Sequence, residues 1–192
     1  ENFKFLNIDL TDETSLNNLL KEFDNNIIYG LVNNAGVGLD GILATLPVSD
    51  IDKLINLNLR VPIILSRSMS RNLIKHKTAG RIINISSIIS ERGYNGLSVY
   101  SSTKAALNGL TISLARELGR TGTTVNSILP GYIKTDMTNK LDEKQINQII
   151  RRTPLGKLSD PEDVSGLVQY LLSPLAKSIT GQLIKVDNGI SV

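Results

Sequence analysis

The chain reads as a three-layer α/β/α fold built on a parallel sheet. Short apolar, β-rich runs alternate with longer helical patterns along all 192 residues, the rhythm of successive βαβ units. The runs are apolar on both faces, as strands buried between two helical layers must be. No repeat, low-complexity tract or linker interrupts this order, so residues 1–192 are expected to form one domain.

In order, residues 3–8, 27–32, 81–85, 124–129 and 183–186 read as strands. Helical patterns lie between them at residues 15–23, 50–75, 100–120, 142–152 and 161–172. The last is the most sharply marked: Asp160 stands at the cap, Pro161 in the first helical position, and Glu162 and Asp163 in the positive first turn. Residues 36–41 satisfy the pattern G-x-G-x-x-G after a strand, but Pro47 and a loop follow where a helix should open, and the region about 20 residues on is itself helical. That match is therefore rejected as a dinucleotide fingerprint.

Composition narrows the chemistry. With no cysteine there is no disulfide, thiolate nucleophile or cysteine zinc site. The single histidine, His76, lies between Lys75 and Lys77 in a polar helix end and is expected to face solvent, so neither a metal site nor a Ser-His dyad is predicted. No apolar stretch approaches the roughly 20 residues that span a bilayer, and no signal-like segment opens the chain; a cytoplasmic location is the default expectation. The net charge of +3 is scattered and aromatic residues make up only 4%, which offers no stacking platform for nucleic acid. A modestly positive surface suits an acidic carrier or a phosphorylated cofactor equally well.

Tyr100 and Lys104 are the most telling pair. An i,i+4 step on a helix beginning near residue 99 brings phenol and ammonium to one face. The ammonium is expected to draw the tyrosine pKa down from about 10 toward the operating pH, where proton transfer is most effective. Ser87 follows the apolar run 82–85 at a strand's carboxyl end, where open α/β sheets place their chemistry. A Y-x-x-x-K pair alone is weak, since a solvated helix face produces it too.

The neighbouring segments add specificity. Asn33-Asn34-Ala35-Gly36 after a strand, Asn58-Leu59 in a helix, Ile85-Ser86-Ser87 after a strand, Tyr100 to Ala106, Val125-Asn126 and Pro130-Gly131 occur in one order and spacing. Together they resemble the classical short-chain dehydrogenases/reductases, most closely the 3-oxoacyl-[acyl carrier protein] reductase branch, from Asp9 to the C-terminus. The resemblance implies a Rossmann-type doubly wound sheet and an NADP or NAD cofactor, with NADPH favoured by the resemblance alone.

It also implies roles. Tyr100 would be the general acid in carbonyl reduction, Ser87 would hydrogen-bond the substrate oxygen, Lys104 would hold the nicotinamide ribose, and Asn58 would anchor a water that refills the proton. Ser86 competes with Ser87, and the 13-residue interval to the tyrosine favours Ser87. A strand-end cap for Ser87 and a buried helix amide bonded to backbone for Asn58 are the plain structural alternatives. By the same resemblance Asp9 would contact the adenine, Asn34, Ala35 and Gly36 would lie along the adenosine ribose, and Pro130, Gly131, Ile133 and Thr135 would border the nicotinamide. Residues 135–157 would form a substrate lid or an ordinary surface helix.

The family's glycine-rich turn is absent from the sequence, which starts where the family's third strand would begin. The first βαβ unit, roughly 45 to 50 residues by ordinary unit length, is expected to precede Glu1 in the intact protein. Strands 3–8 and 27–32 should then lie apart rather than side by side, with one edge of 27–32 lacking a ladder partner. A homotetramer is implied, packing helices 50–75 and 100–120 through Ile64, Leu65, Leu107, Leu110 and Leu114. Lys75, Lys77, Arg116 and Arg120 are candidates to receive an acidic acyl carrier protein, or simply solvated charges. The leading function is reduction of a 3-oxoacyl thioester; a sugar, polyol or other small alcohol is the alternative substrate, and a catalytically silent subunit the alternative of another class.

Overall fold

The computed structural model describes residues 4–134 and 142–192. Four parallel strands form its sheet in the order β1 (Gly30–Asn33), β2 (Arg81–Ile85), β3 (Thr124–Pro130), β4 (Leu183–Val186). Helices α1 (Glu13–Asn25), α3 (Val61–His76) and α4 (Ser98–Leu118) bury Leu16, Leu65, Met69, Leu73 and Leu114 against Leu31, Ile82 and Val125. On the other face, α6 (Pro161–Leu172) packs Leu171, Val164 and Val168 over Ile83 and Ile128. Adjacent residues Ile82 and Ile83 thus serve opposite cores, which is why the strands read as unbroken apolar runs.

The register is fixed by polar groups as well as by apolar ones. Asn33, Asn84 and Ser127 are in register on β1, β2 and β3, beneath Ser66 of α3 and Thr111 of α4. Asn33 Nδ2 donates to Asn84 Oδ1 at 2.8 Å, Asn84 Nδ2 donates to Thr111 Oγ1 at 2.8 Å, and Thr111 and Ser127 share a hydroxyl contact of 3.0 Å. A slip of one residue would move this buried chain to the opposite face and strand every donor in it.

Two expectations need correction. Residues 4–8 form no strand: Phe5 is 77% and Leu6 41% exposed, and no described strand lies beside them to supply a ladder. Since residue 3 lies outside the described part, the correction applies to the rest of that run. Strand β1 accordingly pairs only with β2 among the described residues, and its other edge has no ladder partner, as the sequence reading anticipates. The continuous helix at 50–75 is instead α2 (Val48–Ile55), a wide π-turn (Asn56–Arg60), then α3. Pro62 has no N–H to return to the Asn58 carbonyl four residues back and its ring crowds that oxygen, so the chain widens to an i→i+5 bond from Val61 N–H to Asn56 C=O.

His76 also differs from expectation: it is half-buried, and its Nε2 is buried without a hydrogen-bond partner. The helix starts, by contrast, follow the sequence. At α6 the Asp160 N–H donates to the Asp163 carboxylate at 2.9 Å, and Asp142 and Gln145 complete a reciprocal capping box at α5 (Glu143–Arg152).

Gly131 closes β3 where the backbone after β4 comes nearest. A Cβ there would stand 2.7 Å from Asp187 Cβ and 2.8 Å from its Cα. Gly131→Ala must therefore push two segments of main chain apart, at an expected cost of about 2 kcal/mol. Urea unfolding would register the loss, and an unchanged midpoint would mean the contact yields freely.

Candidate active site

The carboxyl ends of β1, β2 and β3 open onto a cavity of about 350 Å³ whose lining includes Asn34, Gly36, Ser86, Ser87, Tyr100, Lys104, Pro130, Gly131 and Ile133, together with Val37, Asp40, Tyr94 and Tyr132. The sequence-derived set therefore converges, with exceptions. Ala35 is exposed and does not border the cavity. Asp9 lies outside it and is engaged locally, its carboxylate accepting from Thr11 N–H at 2.8 Å and from the Thr11 hydroxyl at 2.7 Å; those bonds hold its pKa below the usual carboxylate value. Thr135 and the start of the supposed lid, through residue 141, lie outside the described residues.

Lys104 is 6% exposed. Its Nζ donates to the Ile85 carbonyl at 2.8 Å and sits 5.7 Å from the Tyr100 ring centroid, so the i,i+4 spacing does bring the two together. Burial pushes the ammonium pKa down to about 8. Ser86 donates to the Lys104 carbonyl at 2.9 Å, tying helix α4 to the end of β2 and occupying its hydroxyl. Ser87 instead accepts from Ile89 N–H at 3.2 Å and faces the Tyr100 phenol. Both serines border the cavity, but the Ser86 hydroxyl is tied to the Lys104 carbonyl whereas Ser87 faces the phenol, and the strand-end cap holds for Ser87 at the same time.

The tyrosine expectation fails in one respect. Burial raises the Tyr100 pKa above its ordinary value, the contact with Ser87 lowers it in part, and the charge of Asp40 raises it further. Desolvation thus outweighs the pull toward phenolate that the Tyr-Lys spacing predicts.

Asn58 sits in the π-turn, completely buried. Its Oδ1 accepts from Val37 N–H at 2.8 Å and its Nδ2 donates to Val37 C=O at 2.8 Å, clamping the loop that floors the cavity. The side chain is therefore committed to backbone, as the plain structural alternative has it. Asn58→Ala leaves both Val37 groups without these bonds, and a loss of about 2 kcal/mol in unfolding free energy is expected. Unchanged stability would mean that water replaces the amide there.

Proteins of known function are similar to this chain in sequence and in fold. The 3-oxoacyl-[acyl-carrier-protein] reductase FabG of Rickettsia typhi is 42% identical over 181 residues, covering 94% of this chain and 74% of the relative. The chain belongs to the short-chain dehydrogenase/reductase family. A family model described as enoyl-(acyl carrier protein) reductase matches residues 1–191, and FabG of Vibrio harveyi is 38% identical over 192 residues, covering 99% of this chain and 78% of the relative. A solved 4-hydroxyisoleucine dehydrogenase complexed with NADH superposes with a TM-score of 0.93 at 31% identity, over 97% of this chain and 79% of that one. A Serratia marcescens short-chain dehydrogenase/reductase variant gives 0.87 at 33% identity, over 96% and 75%. Membership makes the chain an oxidoreductase.

Within this short-chain dehydrogenase/reductase, sequence reasoning missed Asp40, Tyr94 and Leu97. Gly41 N–H donates to Gly96 C=O at 2.9 Å, docking the loop after β1 against the turn that precedes Tyr100. Tyr94-Asn95-Gly96 could have signalled a turn there, with Gly96 at φ +81°, but its meeting with residues 36–41 is purely tertiary.

Proposed function

We propose that this short-chain dehydrogenase/reductase reduces a ketone to a secondary alcohol with a nicotinamide cofactor, the substrate being a 3-oxoacyl thioester carried on acyl carrier protein. The observation that carries the reading is the convergence of the Tyr100 phenol, the Ser87 hydroxyl and the buried Lys104 ammonium on one cavity at the sheet's carboxyl edge. Substrate class rests on the reductase relatives at 38–42% identity.

The residues present fit the cofactor. Gly36 presents bare backbone: a Cβ there would come within 3.1 Å of Asn58 Oδ1 and 3.6 Å of Lys104 Nζ, filling space beside the ammonium. When bound, the nicotinamide supplies the hydride. Lys104, Asn34, Gly131 and Ile133 would hold it. Tyr100, a phenol that carries its proton at neutral pH and whose pKa burial raises further, donates that proton to the oxygen of the reduced carbonyl, and Ser87 positions that oxygen. The ammonium 5.7 Å from the ring stabilises the phenolate that this transfer leaves, so it acts where charge develops.

Lys75, Lys77, Arg116 and Arg120 do not line the mouth of this chain's cavity. They occupy the C-terminal turns of α3 and α4 and the turn after α4, just ahead of β2 and β3, at the opposite end of the sheet. Assembly into a homotetramer also needs a different basis. Leu65, Leu107 and Leu114 are buried within the chain, whereas α3 and α4 leave Ile63 42%, Ile74 59% and Ile112 44% exposed; these residues support a helical interface, which light scattering at micromolar concentration would test.

The deciding assay offers acetoacetyl-CoA with NADPH or NADH and follows loss of the reduced cofactor. Turnover is expected with at least one cofactor. Preferential oxidation of sugar acids or polyols, with no thioester reduction, would reassign the substrate, and no cofactor binding at all would leave a silent subunit.

A further inference from the structure

A second cavity of about 500 Å³ adjoins the first and shares Ile88, Ile89, Tyr94 and Tyr132 with it. Its outer wall is cationic and polar: Arg92 comes from the segment after β2, and Arg152, Gln145 and Gln148 from α5. Neither arginine has a carboxylate at ion-pair distance among the described residues. The acid nearest in sequence, Glu91, is held by Lys185 at 2.8 Å, and Asp187 accepts from Gly189 and Ser191 N–H groups in the last turn of the chain. Arg92 spends one nitrogen on the Ile190 carbonyl at 2.6 Å, which fixes the guanidinium against the cavity rim. Both guanidinium charges reach the Tyr132 phenol on the shared wall.

Two guanidinium groups on one cavity wall, neither with a carboxylate at ion-pair distance among the described residues, form an anion receptor, because each offers several N–H donors in a planar fork. We propose that Arg92 and Arg152 form a subsite for an anionic group on the part of the substrate remote from the ketone, reached across the Tyr94 and Tyr132 wall. The inference rests on the ketone-reductase reading of the adjoining cavity. A phosphate ester on the arm of a thioester substrate and the carboxylate of a free keto acid share the required chemistry. Gln145 and Gln148 add neutral donors and acceptors that suit either oxyanion.

The test compares charged and neutral members of matched pairs: acetoacetyl-phosphopantetheine against acetoacetyl-pantetheine, and 6-oxoheptanoate against its methyl ester. Wild-type protein is expected to prefer the charged member of at least one pair in kcat/KM. Arg152→Met should lower that preference about tenfold, mainly through KM, and Arg92→Met with Arg152→Met further; Arg152→Lys should restore part of it. Because each figure is a ratio within one variant, partial loss of folded protein cancels. A preference confined to the first pair identifies the phosphate, and one confined to the second identifies the carboxylate.

Equal losses on charged and neutral members, or no preference in the wild type, would overturn the subsite while leaving the reductase reading intact. Calorimetry with phosphopantetheine and pantetheine separates the two ideas. Tighter binding of the phosphorylated compound, abolished by Arg152→Met in a chain that reduces none of the ketones, would keep the subsite and overturn the reductase reading.

Discussion

Replacing Tyr100 with phenylalanine is expected to lower kcat for ketone reduction by about 100-fold or more, while the protein still folds and still binds its cofactor. The substitution deletes one oxygen. That oxygen faces Ser87 and carries the phenol proton into the cavity beside Lys104, so the loss should fall on the chemical step. The ring itself remains to wall the cavity, and Lys104 keeps its bond to the Ile85 carbonyl at 2.8 Å. Steady-state rates and cofactor titration on the same preparation decide the matter. Retention of more than about a tenth of kcat would remove Tyr100 from the role of acid, since a positioned acid contributes about 100-fold or more. Ser87→Ala offers a useful contrast: it removes a contact to the same phenol without removing the proton.

Much of this site was legible because local sequence and tertiary position coincide in parallel α/β folds. An apolar run ends, the next residues stand at the sheet's carboxyl edge, and Ser87, Pro130 and Gly131 are thereby located. The Tyr100 to Lys104 step needed only helical geometry. Elsewhere the local signal was incomplete. The run at 4–8 has the composition of a strand, but a strand exists only through its neighbours, and none is described beside it. Pro62 was in plain view as an obstacle to a continuous helix, yet its effect, a π-turn placing Asn58 under the loop at Val37, depends on where that loop lies. Arg92 and Arg152 are 60 residues apart in sequence and line one cavity only through the tertiary fold. The tyrosine pKa was misjudged for a related reason: helical spacing shows the ammonium, whereas desolvation and Asp40 come from the surrounding fold.

The pH dependence of stability should identify Lys104 independently of any assay of turnover. Its pKa falls from 10.5 to about 8 on folding because burial disfavours the ammonium. Below about pH 8 both folded and unfolded chains carry the proton, so stability does not vary with this group. Between about 8 and 10.5 the unfolded chain holds more protons than the folded one, and unfolding free energy rises with pH, by roughly 3 kcal/mol across the full interval. Urea unfolding at pH 7, 8, 9 and 10 should therefore show wild-type protein gaining stability from this residue, contrary to the usual decline in mild alkali. Lys104→Met should erase that rise. At pH 7 the variant also sheds the cost of a buried charge, offset by leaving the Ile85 carbonyl without its donor, so its neutral-pH stability should lie near that of the wild type. Cofactor affinity should nonetheless fall, and in the wild type it should weaken as pH rises through about 8, where the ammonium is lost. An equal rise in stability in Lys104→Met and wild type would show that the proton resides elsewhere, and would remove the charged lysine from beside Tyr100 on which the proposed stabilisation of phenolate depends.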